Sequence, residues 1–255
     1  MAFLEVQNVT MKFGSLTANS DVSFSVEKGS IIGLIGPNGA GKTTLFNCIT
    51  GHYVPSAGKI FFDGKDISGL PPYVIARSGA VRTFQIVRPF KEMTVLENVM
   101  VGAFLRETNV KKARDIAERC LDLCHLNEVR DKPAGDLPIG NKKRLELARV
   151  LATGPKLLML DEAIAGLTST EVNEAVDLIR RLNRQEGMTI LMVEHIMEAV
   201  LPLSDKVVVL DGGVKIAEGP PDKVIYDEKV IEAYFGLKFS QKLMQLQARG
   251  LKNDE

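Results

Sequence analysis

The chain has 255 residues, of which 45% are hydrophobic, and this composition is typical of a folded globular protein. Its 32 basic residues balance its 32 acidic residues, which argues against a nucleic-acid partner. No apolar run approaches the ~18 residues of a membrane-spanning helix. We therefore expect a globular protein that reaches a membrane only through another chain.

The N-terminus and the cysteines bear on the compartment. Residues 1–6 lack the basic region and the long apolar stretch of a signal peptide. Cys48, Cys120 and Cys124 match no metal-binding or disulfide spacing, and the last two share a helix face, which favours packing over chemistry. These features predict a cytosolic chain.

The first part of the chain predicts a small antiparallel sheet. Residues 3–9 and 22–26 alternate between apolar and polar side chains, as half-buried strands do. Residues 59–62 precede Asp63 and Gly64, a pair typical of a hairpin turn. We expect this sheet to lie beside the loop described next.

A glycine-rich loop joins a predicted strand at 31–35 to a predicted helix at 43–49, and it fits the phosphate-binding pattern G-x-x-x-x-G-K-[ST]. Inward-pointing N–H groups and the helix N-terminus attract phosphate. Lys42 can reach the β- and γ-phosphates, and the Thr43 hydroxyl can hold Mg²⁺. The residues predicted to contact nucleotide are Gly36, Asn38, Gly39, Ala40, Gly41, Lys42, Thr43 and Thr44.

The remainder of the chain predicts helices followed by an α/β pattern. The apolar residues follow a helical period from about 94 to 126, and another helix is predicted at 142–152. Strands and helices then alternate as in a mostly parallel sheet. The predicted strands are 157–160, 189–193, 206–210 and 214–217, and the predicted helices are 171–183 and 196–200.

Polar residues follow several strands: Asp161, Glu162 and His195 follow the strands predicted at 157–160 and 189–193, and Gln85 follows a strand-like pair at 80–81. Asp161 can hold Mg²⁺, and Glu162 can deprotonate an attacking water, a role worth ~10²–10⁴-fold in rate. His195 can hydrogen-bond a γ-phosphate, and Gln85 can ligate Mg²⁺ or the water. Taken singly, the two acids could cap a helix and the histidine could be structural. Their placement after strands, together with the phosphate loop, favours a nucleotide-hydrolysing site.

A second glycine-containing loop, residues 137–141, leads into the helix predicted at 142–152. A helix N-terminus behind a glycine is another anion-binding position. A largely helical segment separates this loop from the phosphate loop. We therefore expect Gly140 to contact a nucleotide held by a second subunit.

These motifs occur in an order that resembles ATP-binding-cassette (ABC) ATPases, and the resemblance covers residues 1 to about 236. It implies an α/β fold with a RecA-like P-loop NTPase core, an antiparallel β subdomain and a helical insertion at about 87–153. It also implies ATP and Mg²⁺ as cofactors. Two cassettes of this family enclose two ATP molecules, each between one phosphate loop and the partner's second glycine loop.

The resemblance implies a role for individual residues. Those implied to be catalytic are Glu162, His195 and Gln85, and those implied to hold Mg²⁺ are Thr43, Gln85 and Asp161. Phe13 stands where the family places an aromatic ring that stacks on adenine, a contact worth ~1–3 kcal/mol. Core packing is the alternative for Phe13.

Other segments resemble the ATPase subunits of branched-chain amino-acid importers and their urea and amide relatives. These segments are residues 13–18, 66–72, 82–85, 91–99 and 216–219. The resemblance implies a subunit at the cytoplasmic face of the cell membrane, bound to a second ABC ATPase subunit and to integral membrane permease subunits. A solute-binding protein is implied as an indirect partner.

Three other functions share parts of this pattern. A urea or amide importer carries the same segments, and the motor of a lipid or lipopolysaccharide exporter shares every catalytic motif. The third is an ABC ATPase of DNA repair or translation. The balanced charge and the single cassette argue against the third.

The chain departs from the family pattern at two places. The usual signature Leu-Ser-Gly-Gly-Gln reads Leu-Pro-Ile-Gly-Asn at 137–141, so Pro138 offers neither hydroxyl nor N–H to a γ-phosphate. Asn141 in place of Gln is expected to alter dimer closure. Ala163 replaces a common proline after Glu162, which is expected to loosen the turn. Branched-chain-type relatives resemble this chain in the signature, so no inactive site is inferred.

The tail, residues 237–255, lies outside the resemblance. Its apolar residues at helical spacing predict a terminal helix, docked or frayed, with a regulatory or dimer-contact helix as the alternative.

A permease helix is expected to dock beside Gln85. The apolar-rich segment expected to receive it comprises Ile86, Val87, Arg88, Pro89, Phe90, Met93, Val95, Leu96 and Met100.

Overall fold

Strands and helices form two sheets and a helical segment in the computed structural model, which describes residues 2–85, 87–194 and 196–236. The strands are β1 (Leu4–Phe13), β2 (Leu16–Val26), β3 (Ile31–Ile35), β4 (Ala57–Phe62), β5 (Lys65–Asp66), β6 (Ala80–Arg82), β7 (Leu157–Asp161), β8 (Thr189–Val193), β9 (Lys206–Asp211) and β10 (Val214–Gly219). The helices are α1 (Lys42–Ile49), α2 (Pro72–Ser78), α3 (Val95–Ala103), α4 (Val110–Leu123), α5 (Ile139–Ala152), α6 (Ser169–Arg184), α7 (Met197–Val200), α8 (Pro221–Val224) and α9 (Glu228–Phe235).

The larger sheet has the strand order β10-β9-β3-β8-β7-β6, with β3, β6, β7, β8 and β9 parallel and β10 antiparallel. Every residue of β3, β7 and β8 is buried, because apolar clusters cover both faces of the sheet. The mostly parallel sheet predicted from the sequence is confirmed. Its carboxyl-terminal edge brings the ends of β3, β7 and β8 together, and this edge carries the site.

The smaller sheet is antiparallel, with the strand order β2-β1-β4-β5. It confirms the small antiparallel sheet predicted from the first part of the chain. Asp63 and Gly64 form the turn between β4 and β5, and both have positive φ angles of 50° and 74°. Such angles explain the Asp-Gly pair, since glycine and aspartate tolerate the left-handed region best.

The helical segment differs in detail from the prediction. The stretch predicted as helical from 94 to 126 contains two helices, α3 and α4, which pack against α5. Thr94 starts α3 with a capping box to Glu97, and Asn109 caps α4. Helix α5 begins three residues before the predicted start, because Pro138 is extended and serves as its N-cap.

Helices α2, α8 and α9 were not predicted from the sequence. Both α2 and α8 begin at a proline, which suits the first helical position because the missing N–H has no partner there. The tail prediction for residues 237–255 and the one for Ile86 fall outside the described residues. Within the described part, no helix has the length and apolar character needed to cross a membrane.

The burial of the cysteines agrees with a packing role. Cys48, Cys120 and Cys124 are free and buried, and burial raises the pKa of Cys48 and Cys120 to about 11. Such thiols stay protonated at neutral pH and act as small apolar side chains.

Candidate nucleotide-binding and hydrolysis site

The phosphate loop lies between β3 and α1, and its glycines are required by its shape. Gly39 and Gly41 have φ angles of 82° and 93°. A Cβ atom on Gly36 would lie 2.0 Å from the carbonyl oxygen of Leu210, and one on Gly41 would lie 2.5 Å from that of Ala18. Larger residues therefore cannot adopt this loop conformation.

Lys42 lies inside the loop and is only 7% exposed. Its ammonium Nζ donates to the carbonyl oxygens of Gly36 (2.7 Å) and Pro37 (3.0 Å). Burial lowers the pKa of Lys42, and the nearby carboxylates of Glu162 and Asp161 oppose that shift. The loop thus holds a buried ammonium group that donates two hydrogen bonds to the loop and has a third donor for a phosphate oxygen. This arrangement fits ATP.

A pocket of about 480 Å³ opens over the loop. It is lined by every residue predicted to contact nucleotide through the loop except Gly36, and also by Glu162. Phe13 lies at the pocket and is 42% exposed, with its ring edge-on to Tyr53 at a centroid distance of 5.2 Å. Core packing therefore does not describe Phe13, and its ring is available for stacking.

A second cavity, of about 500 Å³, adjoins the loop and is lined by the three residues predicted to hold Mg²⁺: Thr43, Gln85 and Asp161. Asp161 is almost fully buried, and its Oδ1 atom has no hydrogen-bond partner within the described chain. An unpaired carboxylate oxygen beside a hydroxyl suits a hard cation. No cluster of three His, Cys, Asp or Glu side chains within the described residues could hold a metal alone. The donor set fits Mg²⁺ completed by phosphate oxygens and water.

Arg82 was not predicted from the sequence, although it pairs with Asp161. Its Nη2 atom donates to Asp161 Oδ2 at 2.5 Å, and its Nη1 atom donates to Asn47 Oδ1 at 2.6 Å. The guanidinium also lies 4.7 Å from the ring centroid of Phe84. Burial raises the pKa of Asp161, and the neighbouring Arg82 guanidinium opposes that shift.

Gln85 and Glu162, both predicted to be catalytic, have side chains in contact. Gln85 follows β6 and Glu162 follows the neighbouring strand β7. The amide Nε2 atom of Gln85 donates to Glu162 Oε2 at 2.6 Å. Glu162 has a φ of 51°, which is uncommon for a residue other than glycine and is typical of functional turns. His195 lies outside the described residues, so its role stays a prediction.

Glu194, which precedes His195, is a second residue whose role was not predicted from the sequence. Its side chain is fully buried, Oε1 accepts a hydrogen bond from the Ile164 N–H at 3.0 Å, and burial raises its pKa to about 7. The available signal was an acid at the end of a buried strand. The carboxyl group anchors the turn that follows Glu162.

The second glycine loop differs slightly from its prediction, because Gly140 is the second residue of α5 rather than a loop residue. A Cβ atom on Gly140 would lie 2.1 Å from Oε1 of Glu171, the end of a flexible side chain. Gly140 lines a small cavity with Phe84 and Lys143, apart from the pocket over the phosphate loop. Contact between Gly140 and a nucleotide of a second subunit stays a prediction.

Together, the fold and this site define an ATP-binding cassette. A family model described as "ABC transporter" matches residues 19–165, and the chain belongs to this family. A second model, described as "Branched-chain amino acid ATP-binding cassette transporter", matches residues 214–238. The predicted family and fold class are confirmed.

Similar proteins narrow the class further. The chain is 42% identical over 250 residues to the high-affinity branched-chain amino acid transport ATP-binding protein BraF of Pseudomonas aeruginosa, covering 91% of this chain and 97% of that protein. It is 41% identical over 248 residues to LivG of Escherichia coli K12, with the same coverage. The solved structure of the ADP conformation of MJ1267, an ATP-binding cassette of an ABC transporter, has a TM-score of 0.84 and 35% identity, covering 93% of this chain and all of that one.

Proposed function

We propose that this chain is the ATP-hydrolysing motor of an importer that takes up branched-chain amino acids through a separate permease. The observation that carries the proposal is the meeting of Lys42, Asp161, Glu162 and Gln85 at one sheet edge, over a phosphate loop shaped for nucleotide. The two relatives named above, both of the branched-chain amino acid type, support the choice of solute.

The residues divide the work of hydrolysis. The loop N–H groups and Lys42 bind the phosphates, and Phe13 stacks on the adenine. Thr43, Gln85 and Asp161 would hold Mg²⁺, which supplies positive charge to the phosphate oxygens when bound. Glu162 takes the proton of the attacking water, and the Gln85 amide orients that carboxylate. We assign His195 to the γ-phosphate on the sequence argument above.

A second cassette, of the same or a paralogous chain, completes each site. The N-terminus of α5 lacks a side-chain cap, so its N–H groups can serve an anion of the partner's nucleotide. ATP then joins two subunits, and hydrolysis releases them. This cycle drives the permease, which holds the cassettes at the cytoplasmic face of the membrane, and a solute-binding protein delivers the amino acid to the permease.

The permease contact is assigned to the segment that follows Gln85. Phe90 is 49% exposed, yet its backbone is fixed, because the Asn98 side chain bonds both its N–H and its carbonyl oxygen. The Arg149 guanidinium lies 5.6 Å from its ring centroid. Val95 and Leu96 are buried and belong to the core. An exposed aromatic ring on a rigid backbone suits an anchor for a docking helix.

Phe90→Asp is expected to block co-purification with the permease and to leave basal ATP hydrolysis within twofold of wild type. A buried carboxylate opposes docking, whereas Phe90 is not among the residues assigned above to the phosphates, to Mg²⁺ or to the attacking water. Phe104→Asp is the matched control, since Phe104 is also an exposed phenylalanine of the helical segment, at 44%. Normal co-purification of the Phe90 variant, or loss of its fold, would place the docking site elsewhere.

The solute is tested by disrupting the gene in its own host and measuring uptake of labelled leucine, isoleucine, valine and urea. Loss of amino-acid uptake alone, restored by the wild-type gene and not by Glu162→Gln, supports the proposal. Loss of urea or amide uptake alone would assign the chain to that type of importer. Unchanged uptake with altered surface lipid would assign it to an exporter.

A further inference from the structure

The turn after Glu162 has an unusual backbone that needs support. Glu162 has a φ of 51°, in the left-handed region where a side chain with a Cβ atom is disfavoured. The next residue is Ala163, which restricts the backbone less than a proline would. Yet the Glu162 carboxylate must be held accurately for proton transfer. Contacts from outside the turn must therefore fix it.

Two side chains from different elements supply these contacts. Lys143, on α5, donates from Nζ to the carbonyl oxygens of Glu162 at 3.0 Å and Ala165 at 2.5 Å. Glu194, at the end of β8, accepts from the N–H of Ile164 at 3.0 Å. One ammonium thus holds both ends of the turn, and one carboxyl group holds its middle.

The surroundings strengthen the Lys143 contacts. The side chain is partly buried, and burial lowers the pKa of Lys143, while the carboxylates of Glu194, Glu146 and Glu162 oppose that shift. A partly buried ammonium group loses hydrogen bonds to water. It stays charged where protein oxygens accept its hydrogen bonds instead and acidic side chains lie nearby. Charge-assisted hydrogen bonds at low local dielectric are also the stronger kind.

Helix geometry places Lys143 beside the second glycine loop. It follows Gly140 by three residues, so the two lie on the same face of α5, about one turn apart. Both line the same small cavity, which also contains Glu162. A displacement of the α5 N-terminus therefore reaches the Glu162 turn directly through a single side chain.

We infer that Lys143 is a positioning residue that holds the Glu162 turn and links it to the second glycine loop of the same subunit. The inference rests on the proposed function, since it takes Glu162 as the base. Its consequence is that the contact at Gly140 with the partner's nucleotide and the placement of this subunit's own base are mechanically joined.

The test compares Lys143→Met with Lys143→Arg in the full-length chain. Lys143→Met keeps an apolar stem of similar length and removes the donors. We expect its kcat for ATP hydrolysis to fall at least tenfold, with the Kd for ATP within twofold of wild type. Lys143→Arg retains donors and is expected to recover most of the lost kcat. Lys111→Met, an exposed position on α4, controls for the loss of a charge.

A second measurement is independent of catalysis. Hydrogen exchange without nucleotide should be faster at the amides of Ile164 and Ala165 in Lys143→Met, while the amides of β7 keep their protection. Unchanged exchange together with a kcat within twofold of wild type would overturn the inference. So would loss of both ATP binding and thermal stability without recovery in Lys143→Arg, because that pattern describes a general packing role.

Glu162→Gln separates the base assignment of Glu162 from the positioning role of Lys143. If Glu162→Gln hydrolyses ATP normally, the base assignment in the proposed function is wrong, whatever Lys143 does. If Glu162→Gln is inactive while Lys143→Met keeps its kcat and its exchange pattern, only the positioning role of Lys143 is wrong.

Discussion

Glu162→Gln is expected to lower ATP turnover by a factor of about 10²–10⁴, the usual contribution of a general base. Glutamine keeps the shape of the side chain and can still accept the hydrogen bond that Gln85 donates to Oε2. It cannot take a proton from water. ATP binding should therefore persist, and the variant should accumulate as an ATP-bound cassette dimer when Mg²⁺ is limited.

The measurements are steady-state phosphate release, ATP affinity and size-exclusion chromatography with ATP. Glu186→Gln is the matched control, since Glu186 is an exposed acid just beyond α6 and should behave as wild type. Near-normal hydrolysis by Glu162→Gln would remove Glu162 as the base.

Lys42→Ala is expected to weaken ATP binding by about 10- to 100-fold, since a hydrogen bond to a charged group contributes about 1.5–3 kcal/mol. The substitution removes the buried cation from the phosphate loop. It also removes the ammonium from which the carbonyl oxygens of Gly36 and Pro37 accept hydrogen bonds, so their partial negative charge is no longer compensated. Both effects act against an anion.

Fluorescence titration with ATP measures this loss, and thermal unfolding reports whether the loop still folds. Lys111→Ala, on the exposed face of α4, is the control for charge removal. An ATP affinity within twofold of wild type would show that Lys42 does not contact the phosphates.

Motifs local in sequence were predictable. The phosphate loop, the strand ending at Asp161 and the Asp63-Gly64 hairpin depend on residue spacing and on backbone angles that few residue types adopt. Gln85 and Glu162 were both assigned to the site through the resemblance to a family with known motif order, although their contact was not predicted. The structure brings these two side chains into contact.

The supporting side chains were not predictable in this way. Arg82 and Asp161 are 79 residues apart in sequence, and they pair because β6 lies beside β7 in the larger sheet. Lys143 and Glu194 reach the Glu162 turn from a helix and from a neighbouring strand. Such contacts depend on sheet order and helix packing, and the spacing of residues in one sequence does not encode them.

Helix boundaries were the other source of difference. The three-residue shift at the start of α5 follows from Pro138, whose ring fits the N-cap position while its sequence context suggested a loop. Helix α2 begins at the second of two consecutive prolines, a pattern equally typical of a turn. The resemblance indicated the type of solute, and under the proposed function the residues that bind the solute lie in another chain.

Leucine uptake by reconstituted transporter tests the central claim most directly. The chain would be assembled with its permease in proteoliposomes, with ATP enclosed on the side of the cassettes and the solute-binding protein supplied outside. We predict ATP-dependent accumulation of labelled leucine that is lost when the chain carries Glu162→Gln. ATP hydrolysis without leucine accumulation, or leucine accumulation that persists with Glu162→Gln, would contradict the account.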